Sequence, residues 1–417
     1  MIGIRSLYRG WFILAACYLV AGLMVGSTNY SYGLFIKPVA AEFGLSRADA
    51  NTGLIIYMAG MAVVSPFIGR LLDRMPLQRI MPIGAAFFAA SFIAMSLTRS
   101  LWVMMALLLV AAPGVIACGA PAANKAVTTW FRRRRGRAMG LQATATSAGS
   151  TVIVPVMAIL IERFGWRMAL AIEGLAAAAI VILLALLVIR KHEGPLDPVE
   201  REAPDAAPPA EERVWPVREL VRTRNFWLIG LSVGIMLAID QALITTLVAF
   251  STDRGIPLTQ ASLLMSVLGA SAVAGKLLSG FLAERFDQRL LLAAVALSHM
   301  LFLTVLIVDP SWTLLISTAS VAGLAVGGTY PIWQVVVAMC FGGRSFASVV
   351  GAMNPVSLPL SMLATRFVGE VYDRTHQYDF AFQFFLGASL VSAILIMFVR
   401  PPRRDVPVVP AAQPALG

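Results

Sequence analysis

Two segments of this chain, GRLLDRMPLQR at Gly69–Arg79 and SGFLAERFDQR at Ser279–Arg289, carry the same pattern of residue types. Each follows a long apolar run and contains a glycine, with an acid and an arginine four and five positions after it. The residues of the two copies are Gly69, Asp73, Arg74, Gly280, Glu284 and Arg285. The second copy follows the first by 211 positions. Glu162 and Arg163 likewise match Asp373 and Arg374 at the same offset, and several matches in register indicate two structural repeats, one in each half of the chain.

The composition places both repeats in a membrane. The chain is 59% hydrophobic and only 13% charged, and its apolar runs extend from Trp11 to Val399 with short polar breaks. At roughly 20 residues for each crossing, these runs predict twelve membrane-spanning helices, six in each half. The predicted fold class is therefore an all-α membrane protein built from two pseudo-symmetric six-helix bundles.

A polar stretch separates the two halves. Residues 193–213 read EGPLDPVEREAPDAAPPAEER, a composition rich in Pro, Ala and Glu that cannot bury enough apolar surface to fold. We predict a first bundle at residues 1–189, a cytoplasmic linker at 190–224, a second bundle at 225–400 and a disordered cytoplasmic tail at 401–417.

Basic residues are distributed unevenly along the chain. The net charge is +11, and the segments on the side of the N-terminus hold most of the Lys and Arg residues, including the run Arg132–Arg135. This asymmetry follows the positive-inside rule and predicts a multi-pass protein of the cell inner membrane with both termini in the cytoplasm. The arginine run is interpreted as an anchor on anionic headgroups of the lipid bilayer. The basic balance therefore does not indicate nucleic acid as a partner, and we expect a monomer.

Several motifs resemble those of a known family. GRLLDRMPLQR resembles the loop motif G-x-L-x-D-R-x-G-R-[KR] of the major facilitator superfamily, and SGFLAERFDQR is its second-half copy. RGWFILAACYLV at 9–20, SYGLFIKPVAAEFGLSRADA at 31–50 and TTWFRRRRGRAMGLQATATSAG at 128–149 resemble the bacterial branch of the monocarboxylate transporters and the related oxalate:formate antiporters. The resemblance implies alternating access around a midplane site. It also implies that the six residues of the two copies form a gate on the cytoplasmic side.

Three basic residues lie inside apolar runs: Lys125, Lys276 and Arg366. An intramembrane cation is costly unless it faces water, a counter-ion or a ligand, so together the three predict a path for an anionic substrate. The resemblance places Lys276 where related transporters carry a cavity-lining arginine. The alternatives are a structural carboxylate pair for Lys276, snorkelling to the interface for Lys125, and an ion pair with Asp373 or Glu370 for Arg366.

Asp240 is the one acid near the centre of a predicted span. Unpaired in apolar surroundings, its carboxyl favours the protonated form, whereas beside Lys276 it favours the ionised form. This two-way behaviour predicts a proton-coupling role, with a permanent ion pair as the alternative. Asn124 and Tyr330 are predicted to donate to a substrate carboxylate, with aromatic packing as the alternative for Tyr330.

Other polar residues in the spans are weaker candidates that line the pathway or bond across helices. They are Asn29, Tyr30, Tyr57, Gln142, Gln241, Thr245, Asn354 and Ser357. His299 and Glu173 are predicted to make structural hydrogen bonds, because the superfamily fold places spans nine and six outside the cavity.

The predicted function is secondary active transport of a small organic anion, a mono- or dicarboxylate, by proton-coupled uptake. Exchange for a counter-anion, and export of drugs or organic cations, are the alternatives. The sequence has no clustered metal ligands at metal-binding spacing, no nucleophile elbow and no Gly-rich phosphate loop, which argues against an enzyme. We expect no metal and no cofactor.

Overall fold

The computed structural model describes residues 9–131, 135–189, 215–308, 311–342 and 346–400, and every regular element within these ranges is helical. The first half contains α1 (Arg9–Val25), a π-helical turn (Gly26–Tyr30), α2 (Tyr32–Phe43), α3 (Arg47–Arg74), α4 (Leu77–Leu97), α5 (Leu101–Cys118), α6 (Ala120–Trp130) and α7 (Arg135–Leu187). The second half contains α8 (Val217–Leu220), α9 (Arg224–Asp253), α10 (Leu258–Arg285), α11 (Gln288–Ile307), α12 (Trp312–Phe341), α13 (Phe346–Thr375) and α14 (Asp379–Met397).

These helices make twelve crossings. Within the described residues, ten segments are long and apolar enough to span a membrane. One of them lies in α7, whose 53 residues would extend about 80 Å, far more than one bilayer. Gly165 has a φ of +78° and breaks α7 into two crossings. The remaining crossing is α13, which has 30 residues, about 45 Å, and is therefore long enough to span a bilayer. The predicted fold class is confirmed.

An even number of crossings brings both ends of the described chain to one side. We call this side the terminal face; there Nδ2 of Asn225, next to the start of α9, donates to the carbonyl of Arg400 at 2.7 Å. The opposite side, the far face, carries the connections between α2 and α3, between α9 and α10, and between α13 and α14. Local signals set these helix ends. Ser46 caps α3 by accepting from the backbone N–H of Asp49, and Gly44 ends α2 at a φ of +63°.

Glycines let the pathway helices touch backbone to backbone. A Cβ on Gly149 of α7 would lie 2.0 Å from the carbonyl oxygen of Gly22 in α1. In the second half, a Cβ on Gly327 of α12 would lie 2.1 Å from the carbonyl of Ala272 in α10. Such contacts between small residues are typical of helix packing in membranes. They fix α1 against α7 and α10 against α12, so polar side chains on these helices are held in place.

A hydrophobic cluster near the far face crosses between the halves. Leu34 of α2 and Met157 of α7 pack in it with Leu247 of α9, Leu264 of α10 and Val368 of α13. The two halves are therefore joined by buried apolar area as well as by polar contacts. The arginine run at 132–134, most of the predicted linker and the predicted tail lie outside the described residues. The end of the predicted linker is packed, since Leu220 of α8 is fully buried.

Candidate functional site

The acid near the centre of α9 pairs with a histidine. Oδ1 of Asp240 lies 2.6 Å from Nε2 of His299 in α11. Nδ1 of that imidazole lies 2.8 Å from the carbonyl oxygen of Val295. Both side chains are buried, with Asp240 at 8% exposure and His299 at 1%. The carboxyl of Asp240 therefore pairs with His299 and not with Lys276. The described hydrogen bonds of Lys276 go to α7 instead.

His299 was therefore predicted to hydrogen bond, but not to hold the central acid. The signal that could have identified it is its chemistry alone, because an ionisable residue inside a span is a functional candidate wherever its helix lies. The family resemblance places span nine outside the cavity and so does not point to this histidine. The structure shows that an outer helix can still supply a side chain to the central polar cluster.

Two phenols interact with the carboxyl of Asp240, and the next residue of α9 bonds across the halves. Tyr30 of the π-helical turn and Tyr330 of α12 both lie close enough to interact with it electrostatically. Nε2 of Gln241 donates to Oδ1 of Asn29 at 3.2 Å across the two halves. Tyr330 is 50% exposed although it lies in the middle of a long helix. π-Helical turns occur often at functional sites, and this one brings two polar side chains to the interface between the halves.

Lys276 crosses from the second half to the first. Its ammonium donates to the carbonyl of Ala143 at 2.8 Å and to Oγ1 of Thr146 at 2.7 Å, both on α7. Both acceptors are neutral, and the described residues include no ion-pair partner for this ammonium. The structural carboxylate pair considered from the sequence is not formed in this conformation. A cation therefore lies between the halves with its charge uncompensated.

Arg366 also reaches a neutral acceptor in the opposite half, nearer the far face. Its guanidinium donates to Oγ1 of Thr52 in α3 at 2.8 Å. Glu370 pairs with Arg374 at 2.6 Å instead, and Asp373 accepts two backbone N–H groups at the start of α3 at 2.8 Å each. Neither acid neutralises Arg366, so the ion pair considered from the sequence is not formed here.

Lys125 lies away from this central cluster. Its ammonium donates to the carbonyl oxygens of Leu72 and Met75 at the C-terminal end of α3. A cation at this position also interacts favourably with the helix dipole. The geometry favours the interface alternative over substrate contact. Its neighbour Asn124 is exposed.

The two repeat motifs lie apart at the terminal face. Cβ atoms built on Gly69 and Gly280 would meet no described atom within 4 Å. Arg74 and Arg285 are exposed, and the guanidinium of Arg285 lies 4.0 Å from the centre of the Phe281 ring on its own helix. The side chains of the two acidic gate candidates, Asp73 and Glu284, lie outside the described residues.

The far face, by contrast, is closed by a polar cluster that sequence reasoning missed. Arg47 of α3 forms a bidentate pair with Asp253 of α9, with N···O distances of 2.5 and 2.8 Å. Lys37 approaches the same carboxylate at 2.6 Å, and the guanidinium lies 3.6 Å from the centre of the Tyr372 ring. The hydroxyl of Tyr378 donates to Asp253 at 3.0 Å, and burial raises the pKa of this phenol, which keeps its proton. We call these five residues the far-face lock.

Two further hydrogen bonds join the halves near the far face. Nδ2 of Asn51 donates to the carbonyl of Thr365 at 3.0 Å, and Glu162 accepts the backbone N–H of Thr259 at 2.9 Å. Of the described hydrogen bonds between the halves, those of Lys276 lie nearest the terminal face. Among the described side chains, the hydrogen bonds that join the halves therefore lie between the far face and the level of Lys276.

Sequence relatives cover nearly the whole chain. The sequence model of the Major Facilitator Superfamily matches residues 14–292 and 230–416. The uncharacterized MFS-type transporter YcxA of Bacillus subtilis (strain 168) is 24% identical over 93% of this chain and 92% of its own length. Monocarboxylate transporter 12 of Rattus norvegicus is 24% identical over 95% of this chain and 86% of its own length. Monocarboxylate transporter 11 of Homo sapiens is 26% identical over 94% of this chain and 83% of its own length.

Solved structures share the fold. A bacterial homolog of the human lysosomal transporter Spinster, in an inward-facing and occupied conformation, matches with a TM-score of 0.72 at 17% identity, covering 94% of this chain and 97% of that one. The same homolog in an inward-facing and unoccupied conformation matches with a TM-score of 0.69. Both the family match and the architecture lead to one conclusion: this chain belongs to the Major Facilitator Superfamily, whose members are transporters and not enzymes.

Proposed function

We propose that this transporter moves a small organic anion, a mono- or dicarboxylate, across the cell inner membrane by proton-coupled uptake. The observation that carries the proposal is Lys276, an ammonium between the halves whose partners among the described residues are the neutral oxygens of Ala143 and Thr146. An ionisable group inside a span is a candidate for a substrate or ion pathway. A substrate carboxylate supplies that charge.

The depth of Lys276 suits a midplane site. It lies nine residues from the end of α10, about 14 Å from the terminal face by the helix rise. Tyr330 lies eleven residues from the end of α12, about 16 Å from the same face. The half-exposed phenol and the ammonium therefore stand at similar levels on helices that pack together. A carboxylate can accept from both, and Asn124 is assigned as a further neutral donor.

Arg366 supplies a second cation along the same route. It lies nine residues before the end of α13, about 14 Å from the far face, and donates to the neutral hydroxyl of Thr52. Two uncompensated cations at two depths attract an anion and disfavour a cationic cargo. Lys125 is assigned to the support of the terminal-face gate, because its ammonium binds the end of α3.

The positive-inside distribution makes the terminal face cytoplasmic, so both termini are cytoplasmic and the present conformation is inward-facing. The far-face lock is then the extracytoplasmic gate in its closed state. Gly69, Asp73, Arg74, Gly280, Glu284 and Arg285 are proposed to form the opposite gate, which closes when the lock opens. All of these groups belong to one chain, so a monomer in the lipid bilayer suffices for transport.

The test uses the full-length protein in liposomes with labelled acetate, lactate, oxalate and succinate. Lys276→Ala should weaken binding of the transported acid by about 10- to 150-fold, the loss of a charge-assisted hydrogen bond of about 1.5–3 kcal/mol. Lys276→Arg should retain most of the binding. Arg163→Ala removes an exposed cation and serves as the control.

Two further measurements distinguish the alternatives. In a thermal-shift measurement of the purified protein, stabilisation by organic cations, with none by any carboxylate, would reject the anion proposal and favour export of drugs or organic cations. Uptake that needs a counter-anion inside the liposome and ignores an imposed pH difference would replace proton coupling by exchange.

A further inference from the structure

The pairing of Asp240 with His299 fixes where a hydrogen atom must sit. Nδ1 of the imidazole lies 2.8 Å from the carbonyl oxygen of Val295. A carbonyl oxygen only accepts, so Nδ1 must carry a hydrogen and donate it. The other nitrogen, Nε2, lies 2.6 Å from Oδ1 of the carboxyl group. The backbone of α11 therefore selects the tautomer, and Nε2 is the nitrogen left to face the acid.

Two proton arrangements satisfy that 2.6 Å contact. Either an imidazolium donates from Nε2 to a carboxylate, or a neutral imidazole accepts at Nε2 from a protonated carboxyl group. Both arrangements hold one mobile proton between the two groups. While the Val295 carbonyl holds the remaining hydrogen on Nδ1, loss of that proton would leave a lone pair of Nε2 facing a lone pair of the carboxylate, which is not a hydrogen bond. The observed contact therefore requires one bound proton.

We propose that Asp240 and His299 together form a one-proton site, in which the Val295 carbonyl positions the imidazole and loss of the proton releases the carboxylate from α11. The released group then accepts from the phenols of Tyr30 and Tyr330, on the side of the substrate pathway. In this step the O···H–N bridge breaks and the proton leaves to water. For the identity of the cargo that drives this step, the inference rests on the proposed anion transport.

The surroundings of the carboxyl suit such a release. Besides the imidazole, two described ionisable groups interact electrostatically with Asp240: Tyr30 from the π-helical turn and Tyr330 from α12. A phenol donates a hydrogen bond, so both can stabilise a carboxylate that has lost its proton. The adjacent Gln241 is already engaged with Asn29. Tyr330 is also half exposed, so its ring lies between the buried pair and the surroundings of the helices.

Charged groups on the other packed helices are engaged elsewhere. Lys276 on α10 is bonded to α7, and Arg366 on α13 is bonded to α3. Helix α14 presents a neutral group to α11, because the hydroxyl of Ser389 donates to the carbonyl of Ala296 at 2.9 Å. Among the described residues, the mobile proton is therefore what balances the charge of Asp240.

The pair also links a pathway helix to an outer helix. α9 carries Asp253 of the far-face lock about 20 Å along its axis from Asp240, whereas α11 lies in the outer layer. Loss of the contact would free one side of α9 in the middle of the membrane. Loss of the proton would therefore loosen α9, the helix that carries Asp253 of the far-face lock.

The first experiment detects the proton site directly and needs no substrate. The chain has three histidines, so His192→Gln and His376→Gln leave His299 as the single imidazole for ¹⁵N labelling of the full-length protein. The ¹⁵N spectrum should show Nδ1 protonated throughout a pH titration. The ¹⁵N chemical shift of Nε2 should change with pH in a single step that corresponds to one proton. Asp240→Asn should abolish this step or move it to another pH. A spectrum constant over the range in which carboxyl and imidazole groups titrate would show a permanent structural bond and overturn the proposal.

The second experiment asks whether this proton is coupled to transport. In liposomes, His299→Gln and Asp240→Asn should each reduce accumulation driven by a pH gradient at least about tenfold more than they reduce anion counterflow, the effect of losing a charge-assisted hydrogen bond. Ser389→Ala removes a neighbouring buried hydrogen bond to α11 and should leave the ratio of the two rates unchanged. Equal loss of both rates in the pair variants, or the same ratio change in Ser389→Ala, would assign the pair a structural role only.

The two proposals fail in different ways. If no carboxylate binds or moves, the cargo assignment falls while the ¹⁵N titration still decides the one-proton site. If a carboxylate moves and the titration is absent, the one-proton site falls and anion transport stands.

Discussion

The far-face lock predicts a measurable shift between the two ends of the transport cycle. Arg47→Ala removes the bidentate pair with Asp253 and the contact with the Tyr372 ring. Asp373 keeps its bonds to two backbone N–H groups at the start of α3, and the apolar cluster between the halves is untouched. The variant is therefore expected to fold and to lose stability only in the conformation that is closed at the far face.

The size of the shift follows from the exposure of the groups. The side chains of Arg47 and Asp253 are 15% and 21% exposed, between a surface pair worth about 0–1 kcal/mol and a buried charged hydrogen bond worth about 1.5–3 kcal/mol. The cation–π contact adds about 0.5–1 kcal/mol. Lys37 remains to neutralise Asp253 in part, which reduces the loss. A net change of about 2 kcal/mol corresponds to about 30-fold in the equilibrium between closed and open far-face conformations.

Distances between spin labels on the two halves report this equilibrium. Arg99 and Gln377 are exposed at the far face, one on each half, and can be replaced by cysteine for labelling. The native cysteines, Cys17, Cys118 and Cys340, are buried and should not react. In pulsed electron–electron distance measurements, Arg47→Ala should increase the long-distance population.

Arg374→Ala provides the matched control. It removes another far-face cation, one that pairs with Glu370 on its own helix and does not cross between the halves. An unchanged distance distribution in Arg47→Ala, or an equal change in Arg374→Ala, would refute the assignment of the lock.

Three further changes test other parts of the structure. Gly149→Ala should lower the thermal stability measured in detergent by several degrees, because the new Cβ would lie 2.0 Å from the carbonyl of Gly22; retention of the wild-type midpoint would contradict that packing. Lys125→Met should destabilise the protein by about 1–2 kcal/mol in a denaturant titration, since the carbonyl oxygens at the end of α3 lose a charged donor, while anion binding should change little. Arg366→Gln should weaken anion binding by about tenfold without changing the fold, and unaltered affinity in a binding titration would remove this residue from the anion path.

Features that depend on neighbouring residues in the chain could be predicted from the sequence. The apolar runs are long enough to cross a bilayer, and lipid requires the backbone to satisfy its own hydrogen bonds, so helical crossings follow directly. The two repeat motifs revealed the two halves because their pattern is local to a few positions. The segment that forms α13 was among the twelve apolar runs, so it too was predicted from its local composition.

The partners of the polar side chains could not be predicted in the same way. Asp240 and His299 are 59 positions apart and Arg47 and Asp253 are 206 positions apart, so no local pattern links them. Which side chain meets Asp240 depends on the rotation of α9 and α11 about their axes, and small residues such as Gly149 set such rotations through packing across helices. The ammonium of Lys276 and that of Lys125 are chemically alike in the sequence. One reaches a neutral surface of the opposite half and the other the end of its neighbouring helix, because the direction of a long side chain is settled by the helices around it.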